Sequence, residues 1–177
     1  MLLFILALFI MPAVRSQEVP AEQLKAAFLY NFVRFVDWPT NSLGPDSNPM
    51  IIGVIGKESD KFADILSTLL KDKKAHNHPL VIKKLNVPAD AATCHVVFIS
   101  DGEPRRAQIV DATRKKPILL VGESDDFLSM GGMINIVPEG KLLKFDIDQQ
   151  TAEQSNLTIS SHLLRLARKT KKAGGAE

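Results

Sequence analysis

Glycines and carboxylates that follow three apolar segments are the best candidates for a ligand site in this sequence. Each segment is a short, uninterrupted apolar run, typical of a strand buried on both faces of a parallel sheet. In open α/β sheets, small molecules bind beyond the carboxyl ends of the strands. The candidate ligand-binding residues are therefore Gly56, Asp101, Gly122, Glu123 and Ser124. The alternative is that the glycines only permit the turns, and their spacing matches neither a dinucleotide-binding nor a Walker pattern.

Histidine and cysteine residues give weaker signals for chemistry. His76 and His78 lie two residues apart in a polar stretch, but a metal site normally needs three or four ligands, so we expect a solvated loop. Cys94 and His95 are neighbours on an expected strand, and neighbouring strand residues point to opposite faces. They cannot pair as nucleophile and base, and Cys94 is expected to be a buried small apolar residue.

Serine, histidine and aspartate residues in the last third of the chain are the remaining candidates for a catalytic group. Ser160, Ser161 and His162 lack a nucleophile elbow and an evident acid partner. Asp146 and Asp148 share one face of an expected strand, but nothing indicates a raised pKa or a substrate cleft. The chain is therefore expected not to be an enzyme, and no metal or cofactor is expected.

Aromatic residues are concentrated between positions 28 and 38. This segment holds the only tyrosine and the only tryptophan of the chain. One interpretation is a hydrophobic anchor for the core. The other is a partner-binding patch, because tyrosine and tryptophan dominate the energetic hot spots of interfaces. The candidate partner-binding residues are Tyr30, Phe32, Phe35 and Trp38.

The elements that would position these residues follow from hydrophobic periodicity. Helices are predicted over residues 21–36, about 62–70, 104–114, 124–130, 149–155 and 161–172, the last with Ser160 as its cap. Strands are predicted over residues 50–55, 80–85, 95–99 and 118–122, and a β-hairpin over residues 133–137 and 142–147. This order predicts an α/β fold, a three-layer sandwich with a mostly parallel central sheet, one β-hairpin and a C-terminal helix.

The N-terminus predicts export. Residues 2–11 are an uninterrupted apolar run, Pro12 breaks it, and a cleavage point after Ser16 is plausible. The run is shorter than the roughly 20 apolar residues of a spanning helix, and no basic residue precedes it. Residues 1–16 are therefore predicted to be a signal peptide and residues 17–177 a single domain without stable membrane insertion.

Composition excludes some classes of partner. The net charge of +2 over 177 residues does not indicate a nucleic-acid partner. Cys94 is the only cysteine, so an intrachain disulfide is excluded and the exported chain must rely on its core.

Two segments resemble the YfiR-like family of bacterial periplasmic proteins. Residues 24–39 are similar to the family's opening helix, an aromatic-rich run that ends in Trp38-Pro39. Residues 120–167 are similar to its C-terminal half, and the apolar run 94–99 between them also fits. The resemblance covers nearly the whole chain after the predicted signal peptide.

The resemblance implies a periplasmic, non-enzymatic role. Relatives bind the periplasmic sensor region of an inner-membrane diguanylate cyclase and hold it inactive, and their release raises cyclic di-GMP and promotes biofilm formation. Such a sensor region is the expected partner, and a homodimer is left open. Disulfides matter in some relatives, but Cys94 has no partner within this chain. The alternative is a periplasmic small-molecule-binding α/β module that serves another membrane sensor or a transport system.

Overall fold

The computed structural model describes residues 19–140 and 142–172, so the predicted signal peptide over residues 1–16 lies outside the described residues. The helices are α1 (Ala21–Phe35), α2 (Ser59–Leu69), α3 (Arg106–Thr113), α4 (Gln149–Gln154) and α5 (Ser161–Leu166), with a 3-10 helix at Pro88–Thr93. The strands are β1 (Val36–Asp37), β2 (Met50–Ile55), β3 (Lys74–Ala75), β4 (His78–Lys84), β5 (Val96–Ile99), β6 (Leu119–Gly122), β7 (Ile134–Glu139), β8 (Leu142–Asp148), β9 (Thr158–Ile159) and β10 (Lys169–Lys171).

The central sheet has the strand order β10-β8-β7-β6-β5-β2-β4-β3. Strands β4, β2, β5, β6 and β7 run parallel to one another, and the hairpin strand β8 is antiparallel to β7. Two short strands extend the sheet: β10 pairs parallel with β8, and β3 pairs antiparallel with β4. Strands β1 and β9 form a separate antiparallel pair. The mostly parallel sheet predicted from the apolar runs is therefore confirmed.

The sheet is covered on both faces, which confirms the three layers. On one face, α2 packs through Phe62 against Phe98 of β5, with ring centroids 4.5 Å apart, and α1 packs through Phe32 against Phe145 of β8 at 5.0 Å. On the other face, a Cβ placed on Gly53 of β2 would lie 2.7 Å from the Leu85 side chain and 2.8 Å from Cys94 Sγ. Strands buried on both faces explain why their sequences are continuous apolar runs.

Two predicted helices differ from the structure. Residues 124–130 form a series of turns. The buried Phe127 ring packs against Gly122 and Gly132, and this packing holds the segment close to the sheet. The C-terminal helix begins at the predicted cap, since Ser160 Oγ accepts a hydrogen bond from the N–H of Leu163 at 3.2 Å. It ends at Leu166 rather than Lys172, and the basic residues that follow form β10.

Within the described ranges, the structure has no helix with the length and apolar character needed to cross a bilayer.

Candidate functional site

The carboxyl ends of β2, β5 and β6 meet at one edge of the sheet, as the sequence predicted. Gly56 follows β2, Asp101 lies two residues beyond β5, and Glu123 follows β6. The N-terminal part of α1 lies over this edge and closes a cavity of about 200 Å³, here called the carboxyl-edge cleft. Its polar lining includes Lys25, Lys57, Lys61, Ser100, Asp101 and Glu123.

Lys25 lies between two carboxylates in the cleft. Its Nζ is 2.6 Å from Glu123 Oε2 and 2.9 Å from Glu22 Oε1. The other oxygen of Glu123 accepts a hydrogen bond from the backbone N–H of Asp101 at 3.1 Å. Burial acts to lower the pKa of Lys25, but the hydrogen bonds and charges of Glu123 and Glu22 outweigh burial and raise the pKa above its ordinary value. The network keeps Lys25 protonated and ties α1 to the ends of β5 and β6.

A second cavity of about 360 Å³ adjoins the cleft at the same ion pair. It shares Lys25, Asp101 and Glu123 with the cleft and adds the largely apolar residues Ala21, Ile136, Pro138 and Leu143. The two cavities together offer charged groups on one side of Lys25 and an apolar wall on the other. Such a mixture suits a small polar molecule that carries an apolar part.

The five predicted ligand-binding residues have different positions. Asp101 and Glu123 line the cleft. Gly56, with φ +122°, lets the chain turn where a Cβ would lie 2.9 Å from Ser100 Cβ, and Gly122 makes room for Phe127. Ser124 is buried away from the cleft lining, and its Oγ has no hydrogen-bond partner among the residues described. The glycines therefore shape the edge, while the two carboxylates face the cavity.

The remaining polar residues near the C-terminus stabilise the fold. Asp146 accepts two hydrogen bonds from Arg168, at 2.9 and 2.6 Å. Asp148 caps α4 by accepting from the N–H of Thr151 at 3.0 Å and also binds Lys171 Nζ at 3.0 Å. Over residues 19–140 and 142–172, no cluster of three or more histidine, cysteine or acidic side chains could hold a metal ion.

The prediction of a solvated loop for His76 and His78 is wrong. His78 is only 4% exposed, and its Nδ1 donates to the carbonyl oxygen of Asn48 at 2.9 Å. His76 donates through Nε2 to the carbonyl oxygen of Val33 at 2.9 Å, and its ring packs edge-on against Trp38. Both imidazoles hydrogen-bond the β3–β4 turn to backbone carbonyls elsewhere in the chain. The polar composition of this stretch does not indicate these long-range contacts.

Cys94 is buried, as predicted, between the 3-10 helix and β5. Burial raises the pKa of its thiol, so the thiolate is disfavoured. His95 accepts a hydrogen bond through Nδ1 from the N–H of Ile51 at 2.9 Å. Burial, aided by the nearby His78, lowers the pKa of His95. Cys94 therefore packs in the core, and His95 joins β2 to the start of β5 through its hydrogen bond with Ile51.

Two of the four predicted partner-binding residues belong to the core. Phe32 is 0% exposed and packs against Phe28 and Phe145. Trp38 is 9% exposed, and its Nε1 donates to the carbonyl oxygen of Pro117 at 2.9 Å. Buried side chains cannot contact a partner in this conformation, so Phe32 and Trp38 are not part of the candidate partner surface.

Tyr30 and Phe35 remain at the surface of α1. Arg34 lies over both rings, 5.5 Å from the Tyr30 centroid and 5.7 Å from the Phe35 centroid. Phe35 also packs against His162 of α5, with ring centroids 5.1 Å apart, and Lys73 lies over Tyr30. We call Tyr30, Arg34, Phe35 and His162 the α1 surface.

Lys25 is a cleft residue that the sequence prediction did not include. It lies four residues before Leu29 and seven before Phe32, both of which are buried on one stripe of α1. A charged residue on a buried helical stripe needs a partner, so its position was a usable signal. The sequence does not indicate which carboxylate would supply it, since Glu123 lies almost a hundred residues away along the chain.

The fold and the cleft define the chain as a three-layer α/β domain with a polar cavity at the carboxyl edge of its sheet. The chain belongs to the YfiR/HmsC-like family, whose profile matches residues 22–168. The resemblance in the aromatic helix and the C-terminal half is thereby confirmed. Family membership indicates a periplasmic regulatory protein of the cyclic di-GMP system. No curated protein matches the chain.

Solved structures share the fold at low sequence identity. A conserved domain protein from Vibrio cholerae O1 biovar El Tor superposes with a TM-score of 0.58 at 15% identity, over 85% of this chain and 60% of that chain. The ABC domain in complex with L-Trp from Streptococcus pneumoniae gives a TM-score of 0.52 at 11% identity, over 84% and 61% of the two chains. The chain therefore spans about 60% of the length of these proteins, and the likeness shows the fold alone.

Proposed function

We propose that this protein represses an inner-membrane diguanylate cyclase by binding the periplasmic sensor region of the cyclase. Repression would lower cyclic di-GMP and biofilm formation. The observation that carries the proposal is the family match over residues 22–168, which includes α1 with its aromatic segment and the strands that form the carboxyl edge.

The α1 surface is the contact that we propose for the partner. Tyr30, Phe35 and His162 are aromatic residues that remain at least partly accessible, and Arg34 is exposed between them. Aromatic residues and arginine are enriched in the centres of protein interfaces. Tyr30 and Phe35 are partly buried against the hydrophobic core, so little conformational entropy would be lost when a partner binds.

Repression would work by a difference in affinity. A protein that binds the inactive form of a sensor more tightly than the active form shifts the population toward the inactive form. Any signal that weakens the complex then restores the activity of the cyclase. No chemical step is needed.

The test uses a strain that lacks the gene and carries a variant in its place. Arg34→Glu reverses an exposed charge in the α1 surface and leaves the core unchanged, so it should abolish repression and raise cyclic di-GMP to the level of the deletion strain. Lys83→Glu makes the same charge change on β4, away from α1, and should repress like the wild type. If the deletion strain itself shows an unchanged cyclic di-GMP level while the cyclase is expressed, the proposal is wrong.

A second candidate function is the binding of a small molecule in the carboxyl-edge cleft for another membrane sensor or a transport system. The cavity, the charged network of Lys25 and Glu123 and the adjoining apolar wall favour it. A thermal-shift screen of periplasmic metabolites tests it, since a ligand that binds the native state raises stability. The shift should disappear in Glu123→Gln, and a screen without any shift would argue against this function.

A further inference from the structure

Three lysine-rich runs of the sequence lie at the same edge of the sheet. Residues 71–74 join α2 to β3, residues 114–116 lie between α3 and β6, and residues 169–172 contain β10. Lys74 pairs with Pro79 at the start of β4, and Lys171 pairs with Asp148, whose N–H bonds to Met133 just before β7. All three runs therefore lie where the parallel strands begin, opposite the carboxyl-edge cleft. We call them together the amino edge.

The amino edge extends across the whole sheet. In the strand order, β10 lies at one end, β6 near the middle and β3 at the other end. Neighbouring strands lie about 4.8 Å apart, so the edge is about 34 Å long. Runs that are far apart in the sequence thus form one elongated cationic face.

Most of the charge on this face is not neutralised by any residue that the structure describes. The three runs contain nine lysines and arginines and a single acid, Asp72. Arg114 pairs with Asp111 at 2.6 Å and Lys171 with Asp148 at 3.0 Å. The other cations are exposed lysines that make no ion pair with any residue of the described ranges: Lys71, Lys73, Lys74, Lys115, Lys116, Lys169 and Lys172.

The opposite edge has the reverse balance of charge. The segments at the carboxyl ends of β2, β5 and β6, residues 56–61, 100–106 and 122–126, contain seven carboxylates and four lysines or arginines. The two edges are separated by the length of the strands, about 20 Å for six residues. The molecule therefore carries a charge polarity along the strand direction, and this polarity would orient it on a charged plane.

We propose that the amino edge docks reversibly on the anionic headgroups of a phospholipid bilayer. The unpaired cations are all lysines, flexible point charges that are strongly hydrated, and lysine is depleted in specific protein interfaces. An extended line of such charges suits a diffuse anionic plane better than a shaped protein surface. Each lysine close to such a plane strengthens binding by about fivefold.

Docking of this kind goes beyond repression of a cyclase and does not depend on it. Helix α1 ends at the amino edge, so the α1 surface would lie close to the bilayer, and the carboxyl-edge cleft would face away from it. A protein held there would have a raised local concentration beside any membrane-embedded partner.

Co-sedimentation of the exported chain with vesicles tests the proposal without any cyclase. Vesicles of phosphatidylcholine with about 30% phosphatidylglycerol should retain the protein at low salt, and about 0.5 M salt should release it, because screening weakens exposed charges. Pure phosphatidylcholine vesicles should not retain it. Lys115→Gln with Lys116→Gln should weaken binding about 25-fold, about fivefold for each lysine.

Lys83→Gln with Lys144→Gln is the matched control, since it removes the same charge from β4 and β8 outside the amino edge and should bind like the wild type. Circular dichroism should show that both variants are folded. Equal loss in the two variants, or equal retention on neutral vesicles, would overturn the proposal. Failure of the wild-type protein to bind anionic vesicles at low salt would also overturn it. Loss of cyclase binding in the Lys115 and Lys116 variant would then identify this edge as a protein interface.

Discussion

Lys25 connects the first helix to the strand ends that form the carboxyl-edge cleft. Its side chain and that of Glu123 are each only 16% exposed, and their charged atoms are 2.6 Å apart. Replacing Lys25 by Met keeps the length of the side chain but leaves Glu123 without its cation in a poorly hydrated place. We expect Lys25→Met to lower the free energy of unfolding by about 1–3 kcal/mol at neutral pH, measured by urea denaturation.

The same ion pair gives a dependence on pH with a definite sign. The pKa of Lys25 is raised in the folded state, so the stabilisation is complete below the ordinary lysine pKa, about 10.4, and is lost as the pH rises through the folded-state value. The difference in unfolding free energy between wild type and Lys25→Met should therefore shrink above about pH 10.4. A difference that stays constant there would mean that packing of the lysine stem, not its charge, holds α1.

Phe127 depends on two positions that lack a side chain. A Cβ on Gly122 would lie 2.7 Å from the ring, and one on Gly132 would lie closer still. Gly122→Ala should therefore displace the ring and destabilise the protein by about 1–3 kcal/mol in thermal or urea unfolding. Adding Phe127→Leu should recover part of that loss, because the smaller side chain leaves room for the methyl group. If Gly122→Ala unfolds like the wild type, the ring does not pack as described.

At the level of elements, long periodic segments were predictable and very short ones were not. The stripe of Phe62, Leu66 and Leu70 predicted α2, and the apolar run at residues 50–55 predicted β2 without error. Strands β1, β3, β9 and β10 have two or three residues each, too few to show a period. Strands β1, β9 and β10 form because partners distant in the sequence offer free backbone groups, as β8 does for β10, whereas β3 pairs with the adjacent β4.

The candidate site was likewise predictable only in part. The sequence indicated that Asp101 and Glu123 would share one edge, because both follow apolar strands that should be parallel. It gave no indication that α1 would cross that edge, since the packing of a helix on a sheet depends on the shape of the whole face. For the same reason the burial of Phe32 and Trp38 could not be separated from the exposure of Tyr30 and Phe35.

Strand β10 depends on the ion pair between Arg168 and Asp146. The guanidinium donates through two nitrogens, and the backbone N–H of Arg168 bonds to the carbonyl oxygen of Phe145 at 2.8 Å. Arg168→Met should leave the buried Asp146 unpaired, lower the urea midpoint and speed amide hydrogen exchange in β10 and the adjoining part of β8. Lys172→Met, just beyond the strand, should change neither. Unaltered exchange in the Arg168 variant would show that backbone pairing alone holds the strand.

On the scale of the whole molecule, three surfaces are arranged in sequence along the strand direction. The carboxyl-edge cleft lies at one end, the amino edge at the other, and α1 runs between them from Lys25 to Phe35. The proposed partner surface is thus on the helix whose other end is fastened to the cleft by Lys25 and Glu123. This arrangement offers a physical route by which a ligand in the cleft could alter the position of the α1 surface.

Repression by a difference in affinity makes a quantitative demand on the complex of this protein with its proposed partner. To convert a sensor that is almost fully active into one that is almost fully inactive, the protein must prefer the inactive form by about 10⁴-fold. Sensor variants that favour the active form should therefore bind more weakly, in the order of the cyclase activities that they show in a strain without this protein. Calorimetry with the isolated periplasmic regions of such variants measures that order, with variants of unchanged activity as the control. Equal affinity across the whole series would exclude a population shift, since a protein that binds both forms equally cannot change their ratio however tightly it binds.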